Sequence, residues 1–83
     1  MKLPRDITGM ELAEALAVFG YVVIRQTGSH LQMATTQCGE QNITVPRHNP
    51  MRVGTLSGII GDVAEHFGIS RREVLLRLFG PGK

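Results

Sequence analysis

The sequence predicts a small two-layer α+β domain in the order α-β-β-β-α, with a short C-terminal helix after the second long one. Two observations predict it. Apolar residues recur at helical spacing before Gly20 and again between Thr55 and Phe67. Between these segments lie three stretches rich in β-branched residues, separated by turn residues. A chain of 83 residues makes one domain, so we expect residues 1–83 to form a single unit whose last residues, 80–83, are a flexible tail.

Capping motifs place the helix boundaries. Thr8 is followed by Glu11, so the hydroxyl and the carboxylate can each accept from a free backbone N–H group at the start of the first helix. Gly20 ends this helix as a left-handed cap, and Gly68 ends the second helix. Another capping box, which begins at Ser70, predicts the short third helix.

Turn residues divide the central part of the chain into three strands. Gly28 and Ser29 form a two-residue hairpin turn, because glycine adopts a positive φ at little steric cost. The loop Gln37–Gln41 joins the second strand to the third, and Pro46 favours an edge position for the third. The predicted strands are Tyr21–Thr27, His30–Thr36 and Asn42–His48.

Pairing rules bring two histidines together at one end of the predicted sheet. Across the two-residue turn, Thr27 lies opposite His30. The same register, continued through the loop, places His30 opposite His48. The face expected to pack on the helices carries Val22, Ile24, Leu31, Met33, Ile43 and Val45. The open face carries Arg25, Thr27, His30, Gln32, Thr44 and His48.

Two opposed imidazoles beside arginines suit general acid–base cleavage of RNA. Histidine has an unperturbed pKa of about 6.5, so both of its forms are populated near neutrality. One imidazole of the His30–His48 pair would take the proton of a ribose 2′-hydroxyl, and the protonated partner or a water would protonate the leaving 5′-oxygen. Arg25 and Arg47 would hold the phosphate without a metal. Ser29 would shape the turn or donate to the phosphate, because neighbouring strand residues point to opposite faces and a Ser–His nucleophile pair is not expected. Two solvated surface histidines are the alternative interpretation.

Short motifs follow one another through nearly the whole chain: Leu3-Pro4-Arg5, Thr8-Gly9, Gly20-Tyr21, Arg25-Gln26-Thr27-Gly28-Ser29-His30, Val45-Pro46-Arg47-His48, Gly54-Thr55-Leu56 and Gly68-Ile69-Ser70. In this order and spacing, the chain resembles HicA-type toxins, the small mRNA interferases of HicAB toxin–antitoxin modules. The resemblance implies a double-stranded-RNA-binding-like fold, ribonuclease activity on mRNA with His30 catalytic, and a HicB-type antitoxin that covers the active face. The role of His48 as catalytic partner rests on the strand pairing alone. The RNA-binding candidates around the catalytic residue are Arg25, Gly28, Ser29 and Arg47.

Single-stranded RNA is the expected substrate. Double-stranded-RNA-binding domains depend on contacts to phosphates and 2′-hydroxyls across successive grooves. The second helix of this chain opens with Thr55-Leu56-Ser57-Gly58 and has no lysine at its start.

Composition narrows the setting in which the protein works. The net charge of +2 is a mild excess and is not by itself a nucleic-acid signature. Cys38 is the single cysteine, so we expect no disulfide within the chain and a cytoplasmic protein. No apolar run approaches the roughly 18 residues of a membrane span, so no membrane partner is expected. Asp62, Glu65 and His66 lack the two-histidine spacing of a helical metal site, so no metal or other cofactor is expected.

Two alternatives from other functional classes stay open. Ala64, Gly68 and Val74 stand at helix-turn-helix spacing, which is also explained by ordinary packing of two helices. A DNA-recognition helix at this place would carry Arg71, Arg72 and Arg77. The second alternative is a catalytically inactive module that only binds a partner. Self-association of the chain is also left open.

Overall fold

The order of helices and strands is the one predicted from the sequence. The computed structural model describes residue 3 and residues 6–80, so the predicted flexibility of residues 81–83 lies outside the described residues. The elements are α1 (Gly9–Leu16), a short 3-10 helix (Ala17–Phe19), β1 (Val22–Thr27), β2 (His30–Thr35), β3 (Gln41–Pro46), α2 (Val53–Phe67) and α3 (Arg71–Phe79). The strands form one antiparallel sheet in the order β1-β2-β3, which confirms the predicted α+β architecture. No helix among the described residues is long and apolar enough to span a membrane.

The first helix begins with the reciprocal capping box that the sequence predicts. The Thr8 hydroxyl accepts from the backbone N–H of Glu11 at 3.1 Å, and the Glu11 carboxylate accepts from the backbone N–H of Thr8 at 2.9 Å. At α3 only one half of the predicted box forms. The Ser70 hydroxyl accepts from the backbone N–H of Glu73 at 3.0 Å, but the Glu73 carboxylate binds Arg77 at 2.9 Å instead. Both helix starts therefore have a side-chain cap.

A hydrophobic core fills the space between one face of the sheet and the helices. The helix-facing strand residues Leu31, Met33, Ile43 and Val45 are buried, as the alternation predicts. The buried helix residues that share this core include Leu12, Leu16, Leu56, Ile60, Val63 and Val74. The opposite face of the sheet carries exposed or half-buried residues, among them Arg25, His30, Gln32 and Thr44, so a ligand can reach it.

A β-bulge in β1 overturns part of the predicted face assignment. Val23 pairs with Met33 and Arg25 pairs with Gln32, so Ile24 is an extra residue in the strand. The insertion reverses the alternation on its N-terminal side. The prediction that Val22 and Ile24 pack on the helices is therefore wrong, because their exposed fractions are 59% and 55%.

The register between β2 and β3 differs by two residues from the predicted one. His30 pairs with Pro46, and Thr35 pairs with Gln41. Strand β2 ends at Thr35 because its buried hydroxyl donates to the carbonyl oxygen of Phe19 at 2.8 Å, and the loop begins one residue earlier than predicted. A shift by two residues keeps the side chains within β2 and β3 on their predicted faces of the sheet. The predicted pairing of His30 with His48 is nevertheless wrong.

The loop of residues 36–40 is held against α2 by one histidine. Nε2 of His66 lies 2.9 Å from the carbonyl oxygen of Gln37 and 3.0 Å from that of Gly39. Cys38, between these two residues, is exposed and has a positive φ of 56°. This loop is at the end of the sheet opposite the β1–β2 turn.

Candidate active site

The two motif segments that the sequence singles out lie side by side. The backbone N–H of Arg47 donates to the carbonyl oxygen of Ser29 at 2.6 Å, which continues the β2–β3 ladder one step past Pro46. Gly28 has a φ of 48°, the left-handed conformation that the two-residue turn requires. The turn between β1 and β2 therefore lies beside the end of β3, and together they form one end of the sheet.

His30 is the first residue of β2. It is exposed at this end of the sheet and lies opposite Thr27. Its Nδ1 lies 3.3 Å from the Ser29 hydroxyl oxygen. Ser29 lies in the turn, so the strand alternation expected to separate the two side chains does not apply there, and the expectation that they form no nucleophile pair stays a prediction. This contact leaves Nε2 as the ring nitrogen available to a ligand.

Arg25 stands on the same open face as His30, two pairs further along the ladder. It is exposed and lies opposite Gln32. Diagonal neighbours on one face of an antiparallel pair have their Cβ atoms about 7–8 Å apart, which is within reach of an arginine side chain. Arg25 is the one arginine, lysine or acidic residue within the three strands, so its charge has no acidic neighbour in the sheet.

Arg47 is placed near the turn by its backbone. Its N–H is bound by Ser29, and its side chain is exposed just past the end of β3. The predicted RNA-binding residues Arg25, Gly28, Ser29 and Arg47 therefore all lie at the end of the sheet that carries His30.

His48 takes a different position from the one predicted. It lies past the end of β3, is half-buried, and its carbonyl oxygen accepts from the backbone N–H of Gly9 at 2.9 Å. Its Nδ1 is buried without a hydrogen-bond partner among the described residues. The chain leaves the sheet here to pack against the start of α1, so the sheet does not hold His48 opposite His30.

A polar network at the far end of the sheet was missed by the sequence reasoning. The hydroxyl of the buried Tyr21 donates to the side-chain oxygen of Gln41, whose nitrogen donates to the carbonyl oxygen of Asp62 at 3.3 Å. Burial of the phenol, with a smaller effect from the negative charge of Asp62, raises the pKa of Tyr21 to about 12. No local pattern links residues so far apart in the chain, so the sequence offers no signal for this network.

Two of the three arginines of the helix-turn-helix alternative make contacts within the chain. The Arg71 guanidinium donates to the Ser57 carbonyl oxygen at 3.1 Å and to its hydroxyl at 2.6 Å. Arg77 binds Glu73 and lies 5.8 Å from the centre of the Phe19 ring. Arg72 is exposed. These contacts join α3 to α2 and to the core. Within the described residues, no three His, Cys, Asp or Glu side chains form a group that could hold a metal ion.

The fold and this site define a small α+β protein with an exposed histidine at the basic end of an open sheet face. Residues 9–69 match the family model described as "HicA toxin of bacterial toxin-antitoxin". The chain therefore belongs to the HicA toxin family, as its motifs predict, and this family consists of the toxins of toxin–antitoxin modules. Neither a curated protein nor a solved structure matches the chain significantly.

Proposed function

We propose that this protein is a cytoplasmic endoribonuclease that cleaves single-stranded mRNA without a metal, with His30 as its catalytic acid or base. The observation that carries the proposal is the position of His30. Its imidazole is exposed on an open sheet face, Nδ1 contacts the Ser29 hydroxyl, and Nε2 is left for the substrate. A histidine with one nitrogen oriented and the other free is a common arrangement for general acid–base catalysis.

The reaction follows from the groups at this end of the sheet. Nε2 of neutral His30 takes the proton of the ribose 2′-hydroxyl, and the 2′-oxygen attacks the adjacent phosphorus. The bond between phosphorus and the 5′-oxygen breaks, and a water gives the leaving 5′-oxygen its proton and takes the proton held by His30. The products are a 2′,3′-cyclic phosphate and a free 5′-hydroxyl. Proton transfer by a positioned side chain of this kind typically contributes a factor of about 10²–10⁴ to the rate.

The surrounding residues supply the binding of the phosphate. Arg25 belongs to β1 and Arg47 follows β3, so their backbones lie on the two sides of β2, and a guanidinium binds phosphate oxygens through charge-assisted hydrogen bonds. Gly28 leaves open space beside the turn, since no atom lies within 4 Å of where its Cβ would stand. The Ser29 hydroxyl orients His30 or donates to the phosphate. His48 as catalytic partner stays a prediction, and the strand pairing that motivated it is absent.

The proposal includes a protein partner. The chain belongs to a family of toxins from toxin–antitoxin modules, so its protein partner is an antitoxin. We take this antitoxin to be HicB-like and to neutralise the ribonuclease by blocking access to His30.

Cleavage of a single-stranded RNA in the presence of EDTA tests the proposal. His30→Gln should lower the rate at least 100-fold, since the variant loses the group that transfers the proton. Arg72→Ala is the matched control because Arg72 is exposed on α3, away from the strands, and its rate should stay within about twofold of wild type.

Other outcomes would overturn the proposal. Absence of wild-type cleavage would favour a module that only binds a partner. Cleavage that survives His30→Gln would place the active site elsewhere. DNA binding by a wild-type chain that cleaves no RNA, if it is lost in Arg72→Ala, would favour the helix-turn-helix interpretation.

A further inference from the structure

We propose that β1 is a docking edge to which an extended segment of the antitoxin adds as a fourth strand, with apolar side chains in the groove between β1 and α1. The identity of the partner as the antitoxin rests on the proposed function.

Strand β1 is an edge strand with unusually apolar exposed residues. Its free side is not paired within the sheet, whose order is β1-β2-β3. Val22, Val23 and Ile24 are exposed by 59%, 48% and 55%. Edge strands of soluble proteins generally carry charged residues, proline or a bulge that prevent pairing with other chains. The bulge and the charge of Arg25 lie in the middle of β1, but the residues before them carry neither charge nor proline, and exposed apolar residues in a row favour a partner that covers them.

A groove runs beside this edge on the helix side of the sheet. It has a volume of about 380 Å³. Its walls come from α1 and from the helix-facing residues of β1 and β2, among them Met10, Ala13, Val23, Leu31 and Met33. Met10 is 45% exposed at its rim. A groove between a helix and an unpaired strand edge is a geometry in which extended peptides bind by strand addition. Alternate side chains of the added strand would enter the groove, while the others would lie over the open face.

The charges beside the edge define the chemistry of the added strand. Arg25 is exposed on the open face next to the bulge, without an acidic residue in the sheet to pair with it. Glu14 lines the groove on the side of α1. The added strand should therefore be apolar at the positions facing Val23, acidic beside Arg25, and free of acidic residues beside Glu14.

The bulge at Ile24 favours a different protein over a second copy of this chain. Symmetric pairing of two β1 edges would bring two bulges together, and bulges bend the strand and increase its twist. An antitoxin strand can be straight opposite the bulge. Since β1 leads directly into the turn before His30, a strand added along it reaches the active end of the sheet and covers Arg25.

Calorimetric titration of the co-encoded antitoxin into the His30→Gln chain tests the docking edge without any need for RNA cleavage. Val23→Lys places a charge on the edge and should weaken binding at least tenfold. Val53→Lys is the matched control, because Val53 is 62% exposed on α2 away from this edge, and it should bind as the parent does. Met10→Glu should weaken binding independently through the rim of the groove. Circular dichroism melting of all three variants shows whether each one folds.

Several results would overturn the inference. Equal binding by Val23→Lys and Val53→Lys, with both folded, would exclude the β1 edge as the docking site. A wild-type chain that does not bind the antitoxin would do the same. Light scattering that finds a dimer dissolved by Val23→Lys would assign the edge to a second copy. A failure of RNA cleavage alone would leave the binding result intact and would count against the proposed function only.

Discussion

The backbone N–H of Gly9 donates to the carbonyl oxygen of His48 at 2.9 Å, so the first turn of α1 rests on the chain that leaves β3. The approach is close. A Cβ on Gly9 would lie 2.9 Å from the Cα of Arg47 and would overlap the carbonyl group of Pro46. This contact fixes the path of the segment that carries Arg47, and with it one side of the candidate active site.

Gly9→Ala should therefore destabilise the protein, although alanine is a better helix former than glycine. We expect the free energy of unfolding to fall by about 1–3 kcal/mol, the usual cost of overpacking a filled site. Gly58→Ala is the matched control within α2, where an added Cβ meets nothing within 4 Å, and it should gain about 0.5–1 kcal/mol. Urea denaturation of both variants measures the difference. A Gly9→Ala variant as stable as wild type would contradict the close contact.

The Ser29 hydroxyl should matter for the rate of RNA cleavage more than for substrate binding. Ser29→Ala removes the contact with Nδ1 of His30, and an orienting hydrogen bond is worth about 1–1.5 kcal/mol, or roughly a tenfold loss in kcat. Ser29→Thr keeps the hydroxyl and should restore most of the rate. Steady-state kinetics of the two variants separates kcat from KM. A rise in KM alone would show that Ser29 binds the phosphate instead.

The raised pKa of Tyr21 predicts that the folded protein loses stability in alkaline solution. Its pKa is raised to about 12 in the folded protein, against 10.0 for an unperturbed tyrosine. Between these values the unfolded chain has released the proton and the folded chain keeps it, so the free energy of unfolding falls as the pH rises through this window. Below about pH 10 the stabilisation is fully present.

Tyr21→Phe should remove that part of the alkaline decline. The variant should be less stable near neutrality by about 1 kcal/mol, because Gln41 loses its partner. Between pH 9 and about 11 the gap between the two proteins should then narrow. Thermal melts of both proteins across this range provide the measurement, and parallel curves would speak against a buried, protonated phenol.

His66 should stabilise the loop of residues 36–40 without affecting cleavage. His66→Ala removes the contacts of Nε2 with two loop carbonyl oxygens, so hydrogen exchange in the loop should accelerate. RNA cleavage should be retained, since the loop lies at the opposite end of the sheet from His30. Exchange rates that do not change would show that the loop is held by other contacts.

Local signals in the sequence predict much of the fold. Thr8 and Glu11 act within one turn of helix, and Gly28 with Ser29 fixes the pairing of Thr27 with His30 at once. Two features depend on contacts between distant residues and were therefore not predicted. The bulge at Ile24 lies in an apolar run that has no local mark, and the end of β2 depends on a hydrogen bond across the fold to Phe19.

The same distinction separates the well-predicted from the poorly predicted parts of the candidate site. His30 adjoins a short turn, so its place on the open face follows from that turn alone. The predicted place of His48 depended on where the loop between β2 and β3 begins. Because the loop begins one residue earlier than predicted, each β2 residue pairs with a β3 residue two positions away from the predicted partner. Arg47 still reaches the turn, because the ladder continues past Pro46 to Ser29.

The position of Cys38 makes this chain ready for spectroscopy as it stands. It is the single cysteine of the sequence, it is exposed, and it lies beyond the far end of β2 from His30. At about 3.3 Å per residue, the strand separates the thiol from the imidazole by roughly 20 Å. A maleimide dye attached there would be close enough for energy transfer to a labelled RNA at His30 and too far from that imidazole to obstruct cleavage.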